Sequence, residues 1–80
     1  MSIEFDTQLD ASGLLCPEPV MMLHKTVKEA DIGTVIEVIA TDPSTTRDIP
    51  KFCAFLGHEL ITQLQRDKQF VYYIRKGTGE

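Results

Sequence analysis

Cys16 stands in the stretch GLLCPEPVMM, residues 13–22, with Pro17 and Pro19 on either side of Glu18. The run that follows reads as helix, and the first four N–H groups of a helix have no intrahelical partner. Both prolines therefore occupy positions where a missing donor costs nothing. With Cys16 as N-cap, Pro17, Glu18, Pro19 and Val20 form the supporting first turn, and the N–H groups of Glu18 and Val20 are left to face the cap. Pro17 also biases Cys16 toward the extended backbone an N-cap takes. The positive end of the helix dipole lowers the pKa of a cysteine placed there, while the charge of Glu18 opposes a second anion. A modest depression of the thiol pKa is expected. A thiolate at such a rigid entrance is a nucleophile ready to attack or be attacked, and the same field would hold a persulfide anion.

Cys53 reads differently. It falls on one stripe with Ile49, Phe52 and Leu56, which makes it a packing residue. No Cys-x-x-Cys motif joins the two cysteines as a redox pair. His24 and His58 do not stand at paired-ligand spacing from either cysteine, so no metal site is expected and both imidazoles read as half-buried. Nothing resembles a phosphate loop, and no cofactor is expected. A partner surface is expected around Met22, Lys25, Arg47 and Lys51. Measured from an inward Val20, Met22 projects about 200 degrees around the helix, beside Lys25 and Glu29, and an exposed methionine adapts to several partners. Arg47 and Lys51 belong to the same layer and can meet an acidic partner or shield an anionic sulfur. So short a chain leaves little room for a pocket, and specificity is expected from these surfaces.

The elements that must hold these residues follow from the pattern. Eighty residues, 42% hydrophobic and 25% charged, suit a single domain spanning 1–80. A first strand is predicted over Phe5–Asp10, with Phe5, Thr7 and Leu9 on one side. Val20, Leu23, Val27 and Ala30 define a helix from Pro17, which Gly33 closes off. Thr34–Thr41 is a β-branched strand. DPSTTRDIP is turn chemistry leading to a second helix with Ser44 or Thr45 as N-cap, and Pro50 fits if regular helix starts near Asp48. Gly57 ends it. HELITQLQ and QFVYYIRK pair as a hairpin across Arg66–Lys68, and the closing GTGE is expected to fray.

The order β-α-β-α-β-β, with right-handed crossovers, gives an α/β two-layer sandwich: a mixed four-stranded sheet with two helices packed on one face. FVYYI is apolar on both sides, so the last strand is expected inside the sheet and antiparallel to its neighbours. The other sheet face, carrying Glu37 and Gln63, is left to water or a partner.

The net charge of −4 argues against direct nucleic-acid binding. No apolar run approaches the roughly 20 residues of a membrane span, and MSIEFDTQ lacks the features of a signal peptide. A cytoplasmic location is the expectation. From the residues alone a non-catalytic interaction module and a thiol redox sensor also stay open.

LDASGLLCPEPVMM, TDPSTTRDIPKFC, LGHEL and YYIRKG, in this order from Leu9 to Gly77, resemble the TusA (SirA-like) family of small sulfur carriers. The resemblance implies the fold just described and a persulfide on Cys16. It implies sulfane sulfur taken from a pyridoxal-phosphate cysteine desulfurase and passed to a downstream relay protein. The TTRDIP block favours the branch of the family whose relay ends in 2-thiolation of tRNA wobble uridine. A carrier that docks with several partners is expected to be a monomer.

Overall fold

The computed structural model describes residues 3–78. The elements run β1 (Thr7–Ala11), α1 (Glu18–Glu29), β2 (Val35–Ala40), α2 (Thr45–Leu56), β3 (Glu59–Arg66) and β4 (Gln69–Arg75). The strands form one sheet in the order β1-β2-β4-β3. β1 and β2 are parallel, and β4 lies between β2 and β3, antiparallel to both. This is the sandwich expected from the pattern, with the apolar FVYYI segment inside the sheet.

The core explains the layering. Leu9, Ile36, Val38, Ala40, Tyr72 and Ile74 of the sheet pack on Leu23 and Val27 of α1 and on Ile49, Phe52 and Cys53 of α2. These helix residues recur every three or four positions, which puts each set on one stripe. Leu56 completes the α2 stripe at the margin of the core. β1 runs later than predicted, ending at Ala11. Thr7 and Leu9 share one side as expected, opposite the core residues Ile36 and Val38. Thr7 is exposed, however, Ala11 joins Leu9 in the core, and Phe5 lies outside the strand against Tyr73. Two neighbours stabilise the ends of α1 and α2. Lys76 Nζ donates to the Ala30 carbonyl at the end of α1, at 2.6 Å. Gly57 caps α2 at φ 79°, a left-handed conformation that glycine adopts without a Cβ penalty.

α2 begins earlier than the proline suggests. Helix runs from Thr45 with Pro50 inside it. The carbonyl that Pro50 leaves without a backbone partner belongs to Thr46 in the exposed first turn, where water can serve it. Ser44 precedes the helix but makes no side-chain cap. The threonines turn back instead: Thr45 Oγ1 donates to the Asp42 carbonyl at 2.7 Å and Thr46 Oγ1 to that of Pro43 at 2.8 Å.

The open sheet face differs from expectation at β3. Register shifts between Leu60 and Thr62, leaving Ile61 as an extra residue. One extra residue reverses which side every later residue faces. Gln63 therefore pairs with Tyr72 on the helix side, and Leu64 pairs with Val71 on the open side. Glu37 does lie on the open face, where it accepts from Gln8 Nε2 and from the Tyr73 hydroxyl, both at 2.6 Å. In the closing GTGE, Gly79 and Glu80 lie outside the described residues, while the Gly77 N–H donates to His58 Nδ1 at 3.0 Å.

Tyr72 anchors the turn that precedes α2. The single hydroxyl hydrogen of Thr45 goes to the Asp42 carbonyl, so Tyr72 donates in the buried 2.8 Å contact between the two hydroxyls. Tyr72→Phe should lower unfolding stability by about 1 kcal/mol in denaturant titration. An unchanged midpoint would show that this bond carries no net stability.

Candidate functional site

Parallel neighbours end at the same edge of a sheet, so β1 and β2 deliver their loops side by side. The first loop carries Cys16 and the second carries Asp42. The two meet: the Cys16 N–H donates to Asp42 Oδ2 at 2.6 Å, while Asp42 Oδ1 accepts from the Ser44 N–H at 3.0 Å. A second tie links the same loops, from the Gly13 N–H to Thr41 Oγ1 at 2.8 Å. The N–H groups of Ser44, the largest influence, and of Cys16 hold the Asp42 carboxyl below its ordinary value of 3.8.

Cys16 is not the N-cap. Pro17 holds that position, and the helix opens at Glu18 with Pro19 in its first turn. The Glu18 N–H is taken by the Leu15 carbonyl at 2.9 Å, and the Met21 N–H by that of Pro17 at 3.1 Å. The sulfur therefore lies one residue outside the mouth of α1. Pro19 is buried beneath the turn, and Val20 is half-buried.

The expected depression of the thiol pKa is reversed. Cys16 Sγ donates to Asp48 Oδ2 at 3.3 Å. That hydrogen bond is the main cause of a thiol pKa above the ordinary value, reinforced by partial desolvation and the charges of Asp48 and Asp42. The one opposing influence comes from the nearby Ser44 side chain and does not outweigh them. The carboxylates that oppose a thiolate here are Asp48 and Asp42, in place of the expected Glu18. Asp48 itself is held low, first by its bond from Arg47 Nε at 3.0 Å and then by the thiol.

Cys16 is exposed and Cys53 is buried; both are free thiols. Burial pushes Cys53 up to about 11, which removes it from thiol chemistry near neutral pH. The two histidines also part company. His58 is 6% exposed and stacks on Phe52 at 5.6 Å between ring centroids, whereas His24 is exposed and meets the Phe52 ring edge-on at 4.7 Å.

The largest departure from expectation is space. An open groove of about 880 Å³ runs between the helices, lined by Cys16, Pro17, Val20, His24, Lys51 and Phe52 with neighbouring residues of α2. Phe55 forms part of its wall and is 89% exposed, so α2 presents an aromatic ring to solvent along the groove that also holds the thiol. Of the surface residues singled out from the sequence, Lys51 lines the groove and Arg47 is tied to Asp48. Met22 and Lys25 are exposed on α1 but do not line it. Met21 is the more exposed methionine, at 62% against 40% for Met22.

The structure thus presents an exposed cysteine on one of two tied loops at the end of a β-α-β-α-β-β sandwich. The family model described as "Sulfurtransferase TusA" matches residues 7–76. Sulfur carrier protein TusA of Pseudomonas entomophila is 65% identical over 71 residues, 89% of each chain. Its counterpart in Pseudomonas aeruginosa LESB58 is 58% identical over 76 residues, 95% of this chain and 96% of its own. The fold matches that of a SirA-like protein from Desulfitobacterium hafniense, with TM-score 0.79 at 23% identity over 90% of this chain and 99% of the other. The chain belongs to the TusA family of sulfur carriers.

The Asp42 carboxylate makes the site sensitive to acid. Its folded pKa lies below its unfolded one, so its stabilisation is complete above the ordinary value and is lost as pH falls through the lowered one. Asp42→Asn stays neutral throughout. Its stability should fall less steeply than that of the parent as pH drops below about 4, read from urea midpoints. Parallel acid limbs would show that the carboxylate charge contributes nothing.

Proposed function

We propose that the protein carries sulfane sulfur as a persulfide on Cys16 and relays it between proteins. The observation that carries this reading is one exposed thiol on a residue that itself lines an apolar groove. Uptake and release are two thiol exchanges. The Cys16 sulfur attacks the terminal sulfur of a donor persulfide and gives up its proton; the donor's S–S bond breaks and the donor leaves as thiolate, which takes up a proton. An acceptor thiolate then attacks the terminal sulfur on Cys16, and Cys16 leaves in its turn as thiolate. Rates of such exchange depend on thiolate fraction, access and the leaving group's pKa.

The donor in this reading is a pyridoxal-phosphate cysteine desulfurase, and the acceptor is a downstream relay protein serving 2-thiolation of tRNA wobble uridine. The chain works as a cytoplasmic monomer and needs no cofactor of its own. The acidic net charge and the absence, among the described residues, of a helix long and apolar enough to cross a membrane agree with protein partners in water. Met22, Lys25, Arg47 and Lys51, with Phe55 added by the structure, are the residues through which partners dock. The burial of Cys53 weighs against the redox-pair alternative.

Incubation with a cysteine desulfurase and cysteine should add one sulfur atom to the intact mass. The gain should vanish in Cys16→Ala and persist in Cys53→Ala. A parent protein that gains no sulfur refutes the carrier reading.

A further inference from the structure

The hydrogen bond from Cys16 to Asp48 has a consequence for when the carrier reacts. Asp48 stands in the first turn of α2, with one carboxylate oxygen on Arg47 Nε and the other on the Cys16 sulfur. The Asp48 side chain is only 21% exposed, so it is held in this geometry and does not sweep through solvent. The charged and titratable groups around the thiol are Asp42 on the loop before α2, Arg47, Asp48 and Lys51 on α2 itself, and His24 on α1, with Glu18 two residues along the chain in the first turn of α1. Among them Asp48 alone accepts a hydrogen bond from the sulfur.

We propose that Asp48 is a positioning residue that guards Cys16: it accepts the S–H hydrogen bond and so keeps the free carrier's thiol protonated, and its charge beside Sγ keeps bound sulfur slow to leave for thiols other than the partner's. This rests on the carrier reading above for its purpose but on geometry for its existence. A protonated thiol is a poor nucleophile, so the free carrier resists alkylation and oxidation. Release runs through the Cys16 thiolate as leaving group: the acceptor sulfur bonds to the terminal sulfur, the bond from that sulfur to Sγ breaks, and its electron pair stays on Sγ. A carboxylate beside Sγ disfavours that developing charge, and a leaving group of higher pKa leaves more slowly. The guard is lifted when a docked partner places a cation or a hydrogen-bond donor against Asp48.

The test uses the Cys53→Ala protein, so that a single thiol reports. Its apparent thiol pKa, from the pH dependence of iodoacetamide alkylation, should lie above that of the same protein unfolded in urea. Asp48→Asn should move the profile to lower pH, and Asp48→Glu should restore much of the parent's. A tenfold gain in thiolate should speed alkylation at neutral pH only about threefold, because a more acidic thiolate is a weaker nucleophile. The persulfidated Asp48→Asn protein should also lose sulfur to glutathione several-fold faster than the parent. A profile in Asp48→Asn that coincides with the parent's, or moves to higher pH, overturns the proposal. So does a parent thiol no less acidic folded than unfolded. These readouts do not depend on a desulfurase, so a carrier that loads normally but shows no shift refutes the guard alone. A shift in a protein that never loads refutes the carrier reading alone.

Discussion

One carboxylate holds two loops together at the end of the sheet. Asp42 accepts the N–H of Cys16 from one loop and that of Ser44 from its own. Both groups are backbone donors beside a helix start, where no intrahelical partner exists for them. The bond to Cys16 spans 26 residues of sequence, and the parallel pairing of β1 with β2 is what brings its ends within reach. This tie sets the Cys16 backbone beside the start of α2, where its sulfur meets Asp48 and Cys16 joins the lining of the groove. Below it, Tyr72 and Thr45 fix the turn to the core through a buried pair of hydroxyls.

Two electrostatic effects compete at Cys16, and distance decides between them. A helix N-terminus carries roughly half a positive charge, felt within its first turn. Cys16 lies outside that turn, whose Glu18 donor is already taken by Leu15. Asp48 carries a full negative charge in direct hydrogen-bond contact with the sulfur, and Asp42 adds a second nearby. The carboxylates win. The prolines of the CPEP stretch thus shape the entry to α1 without making it an anion site for the thiol.

The two faces of the sheet have different uses. The helix side is filled, and its two helices leave between them an apolar groove floored by Phe52 and edged by Phe55. On the open side, Gln8, Glu37 and Tyr73 form a row of hydrogen-bonded side chains across three strands, with Phe5 tilted against Tyr73 at 6.2 Å. The extra residue at Ile61 turns Leu64 toward this side and leaves it 38% exposed.

The sequence alone determined what local rules determine. Apolar residues at helical spacing placed α1 and the buried Cys53, and β-branched runs and the doubly apolar FVYYI placed the strands and the interior position of β4. Turn residues marked Gly57 and the hairpin, and the CPEP stretch marked Cys16. Tertiary structure decided everything that needed two distant segments. The charge beside the thiol is the main example: Asp48 is 32 positions from Cys16, and from the chain it reads as an ordinary first-turn acid. A signal for it did exist, since a TDPSTT loop must follow a strand parallel to the one that leads into the cysteine. The groove arises from the gap between two helix surfaces, and the face reversal in β3 from a single residue of register. Neither is a property of local periodicity, because both depend on how one element lies against another.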